Sequence, residues 1–408
     1  MKSSPLLAFK SSPKKTLAVK LNASGERSVL KGHPWVFSNS IVKVNKEGET
    51  GDICIVFSKN KNKVIGIGLL DLASPIRIKM IHSGEGVKIN EDFFQRRVSE
   101  AFHKRLDLLK TNTNSYRLLF GENDGFPGLI VDVYAKVAVL KLYSGIWWTY
   151  LPALLEKIIS ITGCHTAVLR LSRLMQDELP DTVYDGQVIY GELAHEEVNF
   201  IEHGVHFSAN VIKGHKTGYF LDHRHNRKKV GELSMNRSVL DVFSYAGGFS
   251  VHALVGGATE VTSVDISAHA LELAKKNAQL NAFEGIRKTI VGDAFQVLQS
   301  LVQRKKSFDM VVIDPPSFAK QQSEVALAKK KYGQLAQLGI KLCKKGGLLV
   351  LASCSSRVTS QAFFDINKRE ITNSGRSYKI FAKTTHDIDH PIGFSEGAYL
   401  KCGYYLLQ

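Results

Sequence analysis

The stretch Val239–Ser250, VLDVFSYAGGFS, decides how the rest of the chain is read. Apolar and β-branched residues lead into Asp241. The run Ser244-Tyr245-Ala246-Gly247-Gly248 then breaks the pattern before an apolar-periodic segment, Phe249–Val255. This order predicts a strand, a glycine turn and a helix. The glycines let backbone approach a ligand closely, and the helix start offers N–H groups with no partner of their own. Any strand–turn–helix unit would show as much, so the weight rests on the segments downstream of it.

Val261–Asp265 (VTSVD), Thr289–Asp293 (TIVGD) and Met310–Asp314 (MVVID, then two prolines) are short apolar runs that each end in an acid. Helical patterns separate them, notably Ala268–Asn281. Such alternation predicts an α/β fold with a doubly wound, Rossmann-like sheet that binds its ligand at the strands' carboxyl ends. An acid after the second strand commonly grips ribose hydroxyls. The glycines do not spell G-x-G-x-x-G, so a nicotinamide cofactor is the poorer guess. D-x-F-x-x-x-G-G-F followed by V-D-I-S, G-D-A and D-P-P resembles the class I S-adenosylmethionine-dependent methyltransferases, which implies S-adenosyl-L-methionine as cofactor.

The 408 residues are enough for two or three domains. A hydrophobic fraction of 44% and a charged fraction of 23% are ordinary for a globular protein. The charge balance is not: 54 Lys and Arg against 38 Asp and Glu leave a formal +16. That surplus favours a polyanionic partner, RNA first among them. The five cysteines (Cys54, Cys164, Cys343, Cys354, Cys402) show no C-x-x-C spacing, so neither a metal site nor a disulfide framework is expected, and a reducing cytoplasm fits. No apolar run is long enough to span a membrane. Self-association, as a homodimer for instance, is left open.

Residues 1–15 read as a flexible start that lacks the apolar stretch of a signal peptide. Residues 16–82 read as a small barrel, with strands at Leu17–Leu21, Asp52–Phe57, Val64–Leu70 and Ile76–Met80. Lys31-Gly32-His33-Pro34-Trp35-Val36-Phe37 lies between strands and resembles the start of a PUA domain, an RNA-binding barrel. Lys31 and His33 are the expected RNA contacts there, and Phe37 is expected in the core. Residues 83–191 form an expected α+β middle domain, with one amphipathic helix at Glu91–Leu109 and another at Trp147–Thr162. Its YRLLFGENDGFPGLIVDVY, Tyr116–Tyr134, resembles the middle-domain hallmark of the bacterial large-subunit ribosomal RNA cytosine-C5 methyltransferases of the RlmI type.

The catalytic domain is expected over residues 192–408. In the RlmI-like family the segment matching KTGYFLDHRHNR, Lys216–Arg227, lies against the methionine end of the cofactor. The resemblance therefore implies that Lys216, Thr217, Phe220, Asp222 and Arg224 line the site. Asp222 would hold the cofactor's ammonium, and Lys216 or Arg224 its carboxylate. The turn containing Ser244, Tyr245, Gly247 and Gly248 would add backbone N–H groups. Asp265 is expected on the ribose hydroxyls, Ile266 under the adenine with Ser267 beside it, and Asp293 with the Ala294 N–H on the adenine edge. Asp is also a good helix cap, the plainer account of each acid taken singly.

Asp314-Pro315-Pro316-Ser317-Phe318 ends one strand, and Leu348–Ser355 places Cys354 at the end of the next. The RlmI-like family pairs D-P-P with S-C-S, here Ser353-Cys354-Ser355. Cytosine C5 is a poor nucleophile, so its methylation requires a thiolate to add at C6, and a base must later remove the C5 proton. Cysteine suits the first step. A helix beginning near Thr359 is expected to lower the Cys354 thiol pKa. Asp314 is placed to protonate N3, and Pro315 and Phe318 to meet the base. Related RNA enzymes carry a second cysteine after the Pro-Pro-like motif to aid release; Ser317 stands there, which leaves the release base unnamed. D-P-P-S-F also resembles the motif of amino-group methyltransferases, which need no cysteine. A cofactor fold retained in a mere RNA-binding protein is the non-enzyme alternative. His386 and Asp389-His390-Pro391 match a family motif without an assignable role.

Overall fold

The computed structural model describes residues 14–60, 62–176 and 183–408 and divides into two compact units. The first comprises residues up to Ile201, Ser208–Leu221 and Ile388–Phe394; the second comprises Glu202–Phe207, Asp222–Asp387 and Ser395–Gln408. Of the flexible start expected over residues 1–15, only Lys14 and Lys15 fall within the described residues.

In the first unit, β1 (Thr16–Leu21), β2 (Trp35–Val36), β3 (Ile41–Val44), β4 (Ile53–Phe57), β5 (Val64–Leu70) and β6 (Ile78–Ser83) form a six-stranded sheet in the order β2-β6-β5-β4-β1-β3. It is a PUA-like half-barrel. Helix α1 (Ala23–Leu30) is started by Asn22, whose side chain accepts from the Gly25 N–H at 2.8 Å. Phe37 does not join the core: it is 43% exposed while Val36 is buried, because consecutive residues of an extended segment face opposite ways.

Next come α2 (Glu91–His103), α3 (Leu106–Leu109), β7 (Ser115–Phe120), β8 (Leu129–Tyr134), β9 (Val137–Leu142), α4 (Leu151–Thr162), β10 (Thr166–Leu171), α5 (Arg173–Gln176) and β11 (Gln187–Tyr190). The strands form one sheet in the order β11-β10-β9-β8-β7. A continuous core runs from Ile67, Leu69 and Ile81 of the half-barrel to Phe93, Phe94 and Trp147. The single helix expected over Glu91–Leu109 is broken at Arg105. This fully buried guanidinium bonds the Ala101 and Arg117 carbonyls (each 3.0 Å) and both oxygens of Asp124 (3.1 and 2.5 Å). A buried charge must satisfy its donors, and that demand outweighs continuation of the helix. The Asp389-His390 pair is also structural in its contacts. The Asp389 carboxylate accepts from the Arg117 N–H at 2.8 Å and lies 2.8 Å from His390 Nδ1, and its carbonyl accepts from Arg105 at 3.1 Å.

A two-stranded ribbon, β12 (Glu197–Glu202) and β13 (Val205–Asn210), leads to the second unit's α6 (Arg224–Glu232), β14 (Ser238–Val242), α7 (Gly248–Val255), β15 (Glu260–Asp265), α8 (Ala268–Gln279), β16 (Ile286–Val291), α9 (Ala294–Gln303), β17 (Phe308–Ile313), α10 (Val325–Leu342), β18 (Cys343–Ser353), α11 (Ser360–Asn373), β19 (Tyr378–Thr384) and β20 (Lys401–Leu407). The sheet order is β16-β15-β14-β17-β18-β20-β19. β14 to β18 pair parallel and β20 is antiparallel to both its neighbours. The strand order reverses at β14, which fixes where a ligand crevice opens. Cys343 opens β18 and is buried in the core.

α6 and α7 approach closely at two glycines: a Cβ on Gly256 would sit 2.0 Å from the Gly231 carbonyl oxygen and 2.6 Å from its carbon. Backbone cannot retreat as a flexible side chain can. Gly256→Ala is therefore expected to destabilise the protein by about 2–3 kcal/mol in urea unfolding. Gly375→Ala, at φ +75° with nothing within 4 Å, should cost only the backbone strain of about 1 kcal/mol. Equal losses would contradict this account of the helix contact.

Candidate active site

β17 and β18 are hydrogen-bonded neighbours in parallel register, Ile313 opposite Leu351. Asp314 and Cys354, each just past a strand end, therefore emerge on the same edge of the sheet. Cys354 Sγ lies 3.9 Å from Asp314 Oδ1. The structure adds a third group that the sequence pattern does not single out. His223, the residue that precedes α6, has Nε2 3.3 Å from Asp314 Oδ1 and 3.5 Å from Cys354 Sγ. Its position between Asp222 and Arg224 in the KTGYFLDHRHNR segment is the signal that could have found it.

The surroundings hold the thiol protonated. Burial raises its pKa well above the ordinary value, and the Asp314 and Asp222 carboxylates raise it further; the Lys401 ammonium opposes them. The lowering expected from the helix near Thr359 is thus reversed. α11 begins at Ser360, and a helix-end field fades within about one turn. Lys401 itself is 2% exposed, with Nζ donating to the carbonyls of Ser355 and Tyr399, and burial depresses its pKa to about 8. A lysine inside the apolar run of the last strand is the clue to it. For His223, burial favours the neutral ring, but Asp314 outweighs it and the net direction is upward.

Around the glycine turn, Asp241 Oδ2 accepts from the Ser250 N–H (3.0 Å) and hydroxyl (2.6 Å). Asp241 Oδ1 and Ser244 Oγ are buried without a hydrogen-bond partner among the described residues. Gly247 sits at φ +79°, where a Cβ would meet Ala274 Cβ at 2.8 Å. Several of the turn's donors are used internally: Ser244 N–H bonds the Val264 carbonyl (3.0 Å), Tyr245 N–H bonds Asp265 Oδ2 (2.9 Å) and Gly247 N–H bonds the Ser244 carbonyl (2.8 Å). Gly248 opens α7. Asp265 Oδ1 takes the Ser267 N–H at 2.9 Å, Ser267 caps α8, and Ile266 is 73% exposed. Asp293 caps α9 through the Gln296 N–H at 3.1 Å, and Ala294 is buried behind it. Asp222 Oδ2 accepts from the Tyr399 hydroxyl at 2.9 Å, and Arg224 is paired with Asp387 at 3.0 Å. Pro315 is buried, and the half-buried Phe318 ring lies against Tyr332 (5.2 Å) with Lys331 Nζ over it at 5.1 Å.

Five expected site residues lie in the first unit. Thr217 is buried there, donating to Asp132 at 2.5 Å, while Lys216 and Phe220 are exposed. Lys31 is exposed. His33 Nδ1 accepts from the Trp35 N–H at 3.2 Å, and its ring is 6.2 Å from that of Phe394.

Orphaned polar atoms beside a glycine cradle, with carboxylates at successive strand ends, suit a ligand that carries an amino-acid end, a ribose and an adenine. Fold and site define a class I S-adenosylmethionine-dependent methyltransferase. A family model described as S-adenosylmethionine-dependent methyltransferase matches residues 158–374, and one described as a PUA-like domain matches residues 19–83. A ribosomal RNA large subunit methyltransferase of Deinococcus radiodurans is 40% identical over 392 residues, 94% of this chain and 96% of that one. Ribosomal RNA large subunit methyltransferase I of Aeromonas salmonicida is 33% identical over 386 residues, 92% of this chain and 96% of that one. A solved SAM-dependent methyltransferase from Streptococcus mutans superposes with a TM-score of 0.80 at 20% identity, over 95% of this chain and 99% of that one. The chain belongs to the RlmI-type family of large-subunit ribosomal RNA methyltransferases, and its cofactor is S-adenosyl-L-methionine. Among the described residues no helix is long and apolar enough to cross a membrane.

Cys354 is half-buried, whereas the other four cysteines are buried, so a thiol reagent reads it first. Replacing Asp314 by Asn removes an anion that raises the thiol pKa, and alkylation by iodoacetamide at pH 8 should accelerate roughly three- to tenfold. Lys401→Met removes the opposing cation and should slow it by a similar factor, with modification sites identified by mass spectrometry. Shifts in the reverse sense would refute this ordering of charges.

Proposed function

We propose that this protein transfers the methyl group of S-adenosyl-L-methionine to C5 of a cytidine in 23S ribosomal RNA, through a covalent adduct at Cys354. The observation that carries the reading is the convergence of Cys354 Sγ and Asp314 Oδ1, 3.9 Å apart at the ends of adjacent parallel strands. The names of the relatives, ribosomal RNA large subunit methyltransferases, support the substrate class.

Asp265 would hold the cofactor's ribose and Asp293 its adenine edge, with the glycine turn and Asp222 toward the amino-acid end. Bound there, the cofactor supplies an electrophilic methyl carbon. The chain's own groups do the rest. Asp314 accepts the thiol proton and passes it to N3 of the base as sulfur bonds C6, so that C5 becomes a nucleophile. The base must leave its stack to expose C5 and C6. Lys31 and His33 of the half-barrel, with the formal charge of +16, would add phosphate contacts and make RNA binding salt-sensitive. We assign the half-barrel of residues 16–82 to RNA reach and residues 192–408 to chemistry.

The test uses methyl-labelled cofactor and in vitro transcribed large-subunit ribosomal RNA, digested to nucleosides. Label is expected in 5-methylcytidine. Cys354→Ala should lower turnover at least about a thousandfold, and RNA carrying 5-fluorocytidine should trap the native protein as a complex that survives denaturing electrophoresis. Label on an exocyclic amino group with activity retained in Cys354→Ala would replace this reading by amino methylation, and no label in RNA would leave a binding protein.

A further inference from the structure

Carbon–carbon bond formation at C5 leaves a proton that must be removed before the enzyme can be released, and Ser317, not a second cysteine, directly follows Pro315-Pro316. A donor that delivers methyl to the face opposite the sulfur leaves the C5 hydrogen on the sulfur's own face. The base must therefore stand beside Cys354. His223 Nε2 is 3.5 Å from Cys354 Sγ, and it is the imidazole the structure brings to that thiol.

We infer that His223 is the catalytic base that removes the C5 proton and triggers expulsion of Cys354. The assignment rests on the proposed methylation at C5 and names a residue for its last step. Once methylated, the adduct carries the C5 hydrogen and a positive charge shared with its protonated N3. His223 Nε2 takes that hydrogen as a proton. The C5–H pair forms the C5–C6 double bond, and the C6–S bond breaks with its pair leaving on sulfur. The N3 proton returns through Asp314 to the thiolate, and the proton on His223 is the one that the overall methylation releases.

Asn226 sets whether Nε2 has a lone pair to offer. Its amide nitrogen lies 3.1 Å from His223 Nδ1, while its oxygen accepts the hydroxyls of Thr384 (2.5 Å) and Tyr404 (2.9 Å). In that orientation Nδ1 is the acceptor, so the neutral ring carries its hydrogen on Nε2, directed at Asp314. The other tautomer, reached when Nδ1 gains a proton and Nε2 passes its own to the Asp314 carboxylate 3.3 Å away, is held by a half-turn of the amide that puts oxygen on Nδ1–H and leaves Nε2 basic. The two hydroxyls then accept from the amide nitrogen and turn their own hydrogens elsewhere, that of Tyr404 toward the Asn226 carbonyl at 3.4 Å. Asn226 is thus a positioning residue that acts through His223.

The full-length protein is mixed with the same RNA transcript and methyl-labelled cofactor. His223→Gln is expected to bind cofactor normally, to lose turnover about a hundredfold or more, and to accumulate a labelled protein–RNA complex that survives denaturing electrophoresis. Asn226→Leu should accumulate the same complex, and Asn226→Asp, an acceptor toward Nδ1, should restore release. Turnover of His223→Gln within threefold of native, or a variant that binds cofactor and RNA yet forms neither adduct nor product, overturns the assignment. If His223→Gln fails to fold, the Asn226 pair decides, and absence of adduct in Asn226→Leu counts against it. Should Cys354→Ala remain active, the C5 reaction itself falls; should Cys354→Ala be dead while His223→Gln turns over, the base assignment alone falls.

Discussion

The parallel pairing of β17 with β18 is the constraint on which the candidate site depends. Register along these strands, Met310 opposite Leu348 through Ile313 opposite Leu351, brings both carboxyl ends to one edge. Asp314 and Cys354 then meet although 40 residues and the whole of α10 separate them. The antiparallel β20 completes the arrangement from the other side: Lys401 pairs in register with Ser353, which puts a buried ammonium beside the turn after that strand. Sheet geometry, not local sequence, assembles this cluster.

A second set of contacts fixes the helix that presents His223. Arg227, one turn into α6, forms two 2.7 Å bonds with the fully buried Glu202, which also lies 3.0 Å from His252 Nε2. Burial alone would raise the Glu202 pKa, but Arg227 and His252 outweigh it and hold the carboxyl far below its usual range. Breaking one member of such a buried group typically costs about 3–5 kcal/mol, because it leaves an uncompensated charge. Arg224 contributes the same kind of anchor through Asp387. Arg224, expected from the resemblance near the cofactor's carboxylate, and Arg227 thus both help to orient α6. This is why a basic, polar segment could not be resolved into roles from its composition.

Much of the second unit was legible because its signals are local. Each strand that ends in an acid is a hydrophobic run with a carboxylate at a boundary, and the glycine turn announces itself by residue type. The PUA-like half-barrel was visible through four of its six strands; Trp35–Val36 is too short and Ile41–Val44 too exposed to stand out. What escaped was set by tertiary demand. Arg105 interrupts a helix because its guanidinium is needed in the core, a requirement that amphipathic spacing does not encode. His223 lies 131 residues from Cys354, and only the fold can place them 3.5 Å apart. The thiol pKa moves against expectation for a related reason: a nearby helix start is readable from sequence, whereas burial and two facing carboxylates are not.

The charge pattern also separates two proton transfers that would otherwise compete. A histidine beside a cysteine commonly takes the thiol's proton and yields a resting ion pair. Here the thiol faces Asp314 and Asp222, which disfavour a resting thiolate, and Asn226 presents an amide N–H to Nδ1, which keeps the Nε2 position filled in the neutral ring. The nearest lone pair for the thiol is then on the Asp314 carboxylate, whose proton can be handed straight to the ring nitrogen of a bound pyrimidine. On the proposed C5 mechanism, activation of sulfur would be coupled in this way to the arrival of the base that it attacks. On the proposed mechanism the imidazole is left for the later step, freed when its proton shifts from Nε2 to Nδ1 and the Asn226 amide turns its oxygen to that nitrogen.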